Sequence, residues 1–159
     1  MQYGICNLGI VPMRYEADDK SELVSQMLYG EYFKVLEKRK KWSRIRISYD
    51  KYEAWVDNKQ YQEISEKNYK SLVNEQPLLS TDLLEYISDK NRNILTIPLG
   101  ATLNGLKLQN HSFEGNNQSV INDKTKLIKT AFLYLNSPYL WGGKTPFGID
   151  CHRYMRCYG

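Results

Sequence analysis

This 159-residue sequence predicts a mainly β protein with a small α+β part at its C-terminal end. Three observations point there. Short apolar runs bounded by turn residues recur through the first two thirds of the chain. Thirteen tyrosines and three tryptophans favour pleated, half-buried surfaces. From Asn122 the apolar period changes from that of a strand to that of a helix.

Residues 1–65 read as strands and turns. GICNLGIVPMR runs from apolar to charged, and Pro12 is expected at a sheet edge because it has no N–H to give a ladder. In ELVSQMLYGEYFKVLE, Leu23, Val24, Met27 and Leu28 could form a helical face, but Gly30 interrupts it and YFKVLE resumes as a strand. WSRIRISY alternates, with Trp42, Arg44, Arg46 and Ser48 opposite Ile45, Ile47 and Tyr49. A turn at Asp50-Lys51 leads into KYEAWVD. About five strands in so short a stretch predict a small β-barrel.

Residues 66–77 are polar and end in Pro77, as a linker would. Residues 78–121 then hold LLEYIS, ILTIPLGATLNGLKL and HSFEGN. IPLGATLNGLK echoes LYGEYFKVLEK, which predicts a second, degenerate copy of the first barrel. In residues 122–136, Leu127, Ile128, Ala131, Phe132 and Leu135 share a helical face. Asn122 and Asp123 suit the start of that helix, and Ser137-Pro138 ends it. The face is expected to pack Leu127, Ala131, Phe132 and Leu135 inward as the first element of a third unit, residues 122–159.

Hydrophobic content of 42% and charged content of 25% exclude a disordered or membrane-embedded chain. The first residues lack a signal peptide's basic start and apolar run, and no stretch approaches the ~20 apolar residues of a span. Three cysteines (Cys6, Cys151, Cys157) make a disulfide framework unexpected. The expectation is a cytoplasmic protein, or a periplasmic or secreted one if a leader has been removed. No cofactor and no metal are expected.

The chemistry concentrates in SPYLWGGKTPFGIDC, residues 137–151. Gly142 and Gly143 allow tight turning, Pro146 and Gly148 mark a second turn, and Asp150-Cys151 would open a helix. A thiol there meets unpaired N–H groups and the positive end of the helix dipole, which favour thiolate. A lone cysteine near a glycine turn can equally be a small buried hydrophobe.

YLWGGKTPFGIDC resembles the active-site entry of the NlpC-type cell-wall cysteine peptidases, a papain-like family. The likeness is greatest to its γ-D-glutamyl-L-diamino-acid endopeptidases (the dipeptidyl-peptidase VI subgroup), which carry bacterial SH3-like domains before the peptidase. Tyr139, Trp141, Gly142, Gly143, Asp150 and Cys151 stand at the matching positions, and the SELVSQMLYGE and KYEAWVD runs are similar to the subgroup's first SH3-like domain. The resemblance implies two SH3-like barrels followed by the start of a papain-like domain, and hydrolysis of the γ-D-Glu–diamino-acid bond of peptidoglycan stem peptides. It implies Cys151 as nucleophile, Tyr139, Trp141 and Asp150 at the substrate end, and Glu22 and Tyr52 as the groups meeting a free N-terminal amine. A solvated acid and a barrel aromatic are the plainer readings of Glu22 and Tyr52.

The resemblance breaks immediately after Cys151, where the family has Ser/Thr-Gly and this chain has His152-Arg153 before ending at Gly159. Of its two histidines, His152 is adjacent to Cys151 and cannot face it on a helix, and His111 lies in a polar loop read as surface. A peptidase domain cut short after its nucleophile, and inactive for want of a base, is therefore expected. A one-base shift in codons for the tail restores Thr-Gly-Ile-Cys, which makes a single-base insertion near the Cys151 codon the expected cause. Without its partners the helix face would be exposed and open to self-association.

Two further readings belong to other classes. One is a non-catalytic SH3-like module that binds peptidoglycan fragments. The other takes KVLEKRKKWSRIR as a nucleic-acid surface. A net charge of only +4 and the ease of solvating such a face argue for no nucleic acid partner.

Overall fold

A computed structural model describes residues 1–119 and 124–151, the side chains of 124–127 excepted. The fold is mainly β, as the sequence predicts. Strands β1 (Gln2–Ile5), β2 (Ile10–Arg14), β3 (Leu23–Leu28), β4 (Tyr32–Lys38), β5 (Trp42–Ile47), β6 (Glu53–Asp57) and β7 (Gln62–Ile64) form one antiparallel sheet in the order β3-β2-β6-β5-β4-β1-β7. Its strands share a single core. Val11, Met13, Val24, Met27, Phe33, Val35, Ile45, Ile47, Ala54 and Val56 pack together, so the sheet must curl to bring both ends onto one centre. β5 shows the cause directly: Ser43, Ile45 and Ile47 point in while Arg44 and Arg46 point out. Buried Ser43 is satisfied, its Oγ donating to Asn58 Oδ1 at 2.7 Å and lying 3.0 Å from the Tyr61 hydroxyl.

Three local expectations change. Leu23–Leu28 is strand rather than a helical face: it pairs with β2, and a bulge opposite Met13/Arg14 lets Val24 and Met27, three residues apart, both reach the barrel core. Pro12 lies inside the sheet opposite Gln26; β2 meets β6 only at Arg14↔Trp55, so Pro12 has no ladder to break on that side. The segment read as a linker folds as helix α1 (Glu66–Asn74). Ser65 caps it by accepting from the Asn68 N–H at 3.2 Å, and Tyr69 and Leu72 are buried, with Tyr69 stacked on Tyr3 at 4.4 Å between centroids. Polar composition hid a narrow apolar face spaced three residues apart.

Beyond α1, β8 (Leu78–Ser80), β9 (Leu84–Ser88), β10 (Ile94–Pro98), β11 (Ser112–Phe113) and β12 (Asn117–Ser119) make two small sheets, β10-β9-β11 and β12-β8. The glycine echo seen in the sequence is a repeated turn. Glu31 N–H donates to Leu28 C=O and Ala101 N–H to Pro98 C=O, with Gly30 and Gly100 in left-handed backbone at φ 77° and 85°. The copies diverge afterwards: Gly30 leads into β4, whereas Thr102 only bridges Leu79 and residues 104–110 continue as turns.

The second unit's core includes a residue of the first. Tyr29 is wholly buried among Ile87, Ile97, Ala101 and Leu103, and its hydroxyl lies 2.8 Å from His111 Nδ1. His111 is thus half-buried rather than a surface residue, and burial holds its pKa below the usual value.

After β12, α2 (Lys124–Phe132) precedes the two-residue strands β13 (Lys144–Thr145) and β14 (Gly148–Ile149). Phe132 and Leu135 do not pack inward, in line with the exposure expected of a face without its partners, and the side chain of Leu127 lies outside the described residues. Phe132 and Leu135 are 65% and 72% exposed, Ala131 is half-buried, and Tyr134 is buried instead. Asn122 and Asp123 lie outside the described residues. No helix among the described residues is long and apolar enough to cross a membrane.

Candidate active-site turn

The motif forms a short hairpin. Lys144 pairs with Ile149 and Thr145 with Gly148, while Tyr139 bridges Ile149 in parallel. Gly143 N–H donates to Leu140 C=O at 2.9 Å, and Asp150 N–H donates to Gly143 C=O at 3.0 Å. Asp150, 5% exposed, accepts the Gly142 N–H at 3.0 Å through Oδ2. Its carboxylate therefore closes the loop next to the cysteine, a role the motif did not reveal. Cys151 follows in helical backbone and is exposed.

The barrel holds this hairpin along β3. Trp141 Nε1 donates to Glu22 Oε1 at 2.7 Å, and Lys144 N–H donates to Gln26 Oε1 at 2.7 Å. Lys144 Nζ lies 3.5 Å from Glu31 Oε1, and Glu31 Oε2 accepts the Leu28 N–H at 2.7 Å. Gly142 sits at φ 73° against the β3 backbone, where a Cβ would come within 2.9 Å of Leu23 O. Only glycine allows both that conformation and that approach.

The sequence-derived residues are thus brought together in part. Glu22 meets Trp141, and Asp150 closes the turn that presents Cys151. Tyr139 and Trp141 are exposed on the hairpin. Tyr52 is half-buried against the barrel core, with its N–H donating to Asp50 Oδ1 at 3.0 Å, and matches the barrel-aromatic reading. His111 is engaged with Tyr29, and His152 lies outside the described residues. Gln26, Glu31 and Lys144 were not singled out from sequence. Each gains its role from a partner far along the chain, and no local pattern signals that.

The basic run on the barrel is largely paired. Arg39 meets Glu37 at 2.7 Å, Arg44 and Arg46 share Glu53 at 2.8 and 2.6 Å, and Lys38 bonds Glu63. Arg39 also covers the Trp55 ring at 4.3 Å.

The two described cysteines differ in access. Cys6 is completely buried, its thiol donates to Leu8 C=O at 3.2 Å, and burial pushes its pKa up. Iodoacetamide is expected to alkylate Cys151 at least ~10³ times faster than Cys6, since reaching Cys6 requires opening a core worth several kcal/mol. Peptide mapping of the native protein measures both rates. Equal rates would mean that the barrel core does not close over Cys6.

Residues 13–60 match the family model described as the bacterial dipeptidyl-peptidase SH3 domain. Dipeptidyl-peptidase 6 of Lysinibacillus sphaericus is 24% identical over 172 residues, an alignment covering 86% of this chain and 60% of that protein. The crystal structure of an NlpC/P60 family protein from Bacillus cereus superposes with a TM-score of 0.69 at 14% identity, covering 98% of this chain and 72% of that one. Over its first unit this chain is therefore similar to the SH3 domain of bacterial dipeptidyl-peptidases, and along nearly its whole length it shares the fold of an NlpC/P60 family protein.

Proposed function

We propose that this chain is the SH3-bearing part and nucleophile turn of a cysteine peptidase cleaving the γ-D-Glu–diamino-acid bond of peptidoglycan stem peptides. The observation that carries the reading is the exposed Cys151 directly after a hairpin that the barrel clamps through Glu22, Gln26 and Glu31. Cys151 Sγ would attack the γ-glutamyl carbonyl carbon. A histidine would take the thiol proton and pass it to the departing amine of the diamino acid, and water would then release the acyl group. Tyr139, Trp141 and Asp150 would border the scissile end. Glu22 and Tyr52 would face the free N-terminal amine; Glu22 uses one carboxylate oxygen on Trp141, and its second oxygen has no partner among the described residues.

The base is expected from residues outside these 159, because His111 is engaged with Tyr29. Loss of general-base catalysis alone removes about 10²–10⁴ in rate. The chain by itself is therefore expected to give no measurable cleavage of L-Ala-γ-D-Glu-diamino-acid peptide, read by mass spectrometry. Fusing a downstream histidine-bearing segment of the family should produce turnover, and Cys151→Ala should abolish it. Turnover by the chain alone that survives Cys151→Ala would overturn the assignment. Peptide binding without turnover in the fused form would favour the alternative, a non-catalytic binding module.

A further inference from the structure

A second feature lies away from the hairpin. α1 packs against β1 and β4 and leaves a cleft of about 250 Å³ against the β5–β6 turn. Lys34, Arg46, Ile47, Ser48, Lys51, Tyr69 and Val73 line it. Three of these seven residues are cations and none is an acid, an imbalance that selects for an anion.

Their placement follows from the fold. Lys34 and Arg46 are register partners on β4 and β5, so their side chains leave the same face side by side. Lys34 Nζ stands 5.8 Å from the centroid of the Tyr69 ring, which α1 brings to the cleft. Lys51 is fixed from the third side. Its backbone is left-handed at φ 59°, and its ammonium donates to the Ser48 carbonyl across the turn. Ser48 Oγ and Tyr69 OH lie 3.3 Å apart, adding two hydroxyls to the lining.

The nearby carboxylates are committed elsewhere. Glu53 binds Arg44 and Arg46 together, and Glu66 binds Lys70 at 2.7 Å. Lys34 and Lys51 make no ion pair among the described residues; Lys34 reaches Glu66 only at longer range, and Asp50, beside Lys51, accepts the Tyr52 N–H, so the lining of the cleft itself stays net positive. A carboxylate or a phosphodiester brings one negative charge. A phosphate monoester brings close to two at neutral pH, with three acceptor oxygens for ammonium and hydroxyl donors. Val73, 47% exposed, offers an apolar contact for whatever the phosphate is attached to.

We propose that the cleft between α1 and the β5–β6 turn binds a phosphate monoester through Lys34, Lys51, Ser48 and Tyr69. This site is independent of the peptidase reading, because none of these residues contributes a described contact to the hairpin.

Phenyl phosphate, inorganic phosphate, dimethyl phosphate and acetate, each titrated into the whole chain by calorimetry or amide shifts, provide the test. Phenyl phosphate should bind tightest, inorganic phosphate next, and the two monoanions at least ~10-fold more weakly, as expected for the loss of one charge-assisted contact. Phenyl phosphate affinity should also rise as pH passes ~6, where the monoester gains its second charge. Lys34→Gln should weaken phenyl phosphate about tenfold, and adding Lys51→Gln should weaken it further. Lys20→Gln with Lys59→Gln removes the same charge elsewhere and should leave affinity within about twofold. Lys34→Gln disturbs no described hydrogen bond, so it stands if the Lys51 turn proves sensitive. Equal affinity for acetate and phenyl phosphate, or an equal loss from the control pair, would reduce the site to general surface charge and overturn the proposal.

Discussion

Gly30→Ala is expected to lower the unfolding free energy by about 2–5 kcal/mol. Two costs combine. Left-handed backbone, here φ 77°, disfavours alanine by ~1–2 kcal/mol. The new Cβ would also fall 1.7 Å from the Thr102 carbonyl oxygen, so backbone must move, and such overpacking costs ~1–3 kcal/mol. That backbone is not free to yield, since Thr102 N–H donates to Tyr29 C=O at 2.8 Å and the Tyr29 side chain fills the second unit's core. Urea denaturation of wild type and variant measures the difference. An unfolding free energy within 0.5 kcal/mol of wild type, about the scatter of an innocuous surface change, would show that the two units do not touch at Gly30.

Lys144→Met is expected to cost about 3 kcal/mol and to loosen the hairpin that carries Cys151. Lys144 and Glu31 are 5% and 13% exposed in their side chains, so methionine would leave an uncompensated carboxylate in a largely dry junction. The contact is long at 3.5 Å, which puts the loss at the lower end of the ~3–5 kcal/mol seen when a buried pair is broken from one side. Glu31→Gln with Lys144→Met should recover part of it, because the amide still accepts the Leu28 N–H and no lone charge remains. A double-mutant cycle should return a coupling of at least ~1 kcal/mol, and limited proteolysis should cut residues 137–150 faster in Lys144→Met alone. Additive losses would mean that the two side chains do not sense each other. Unchanged proteolysis would mean that the remaining contacts, Trp141 to Glu22 and Lys144 N–H to Gln26, suffice to hold the hairpin.

Both predictions depend on contacts that join distant stretches of chain, and this separates what was legible from what was not. Strand alternation in WSRIRI, the left-handed glycines following Tyr29 and Leu99, and the change to helical period before Pro138 are local properties. Each is decided by Cβ direction or by allowed φ within a few residues, so the sequence alone determined the mainly β class, the repeated turn and the placing of Cys151 after a double-glycine loop. Helix α1 was equally local but weakly marked, because Tyr69 and Leu72 are the only buried residues on it. Whether a side chain finds a partner depends on which surfaces fold together. Only the tertiary structure could put Tyr29 into the neighbouring core, turn His111 from a loop residue into its hydrogen-bond partner, and set Glu22, Gln26 and Glu31 against the hairpin. It also decided that Tyr134, off the apolar stripe, is the residue buried there, since a stripe fixes which residues share a face, while burial requires a second surface to meet it.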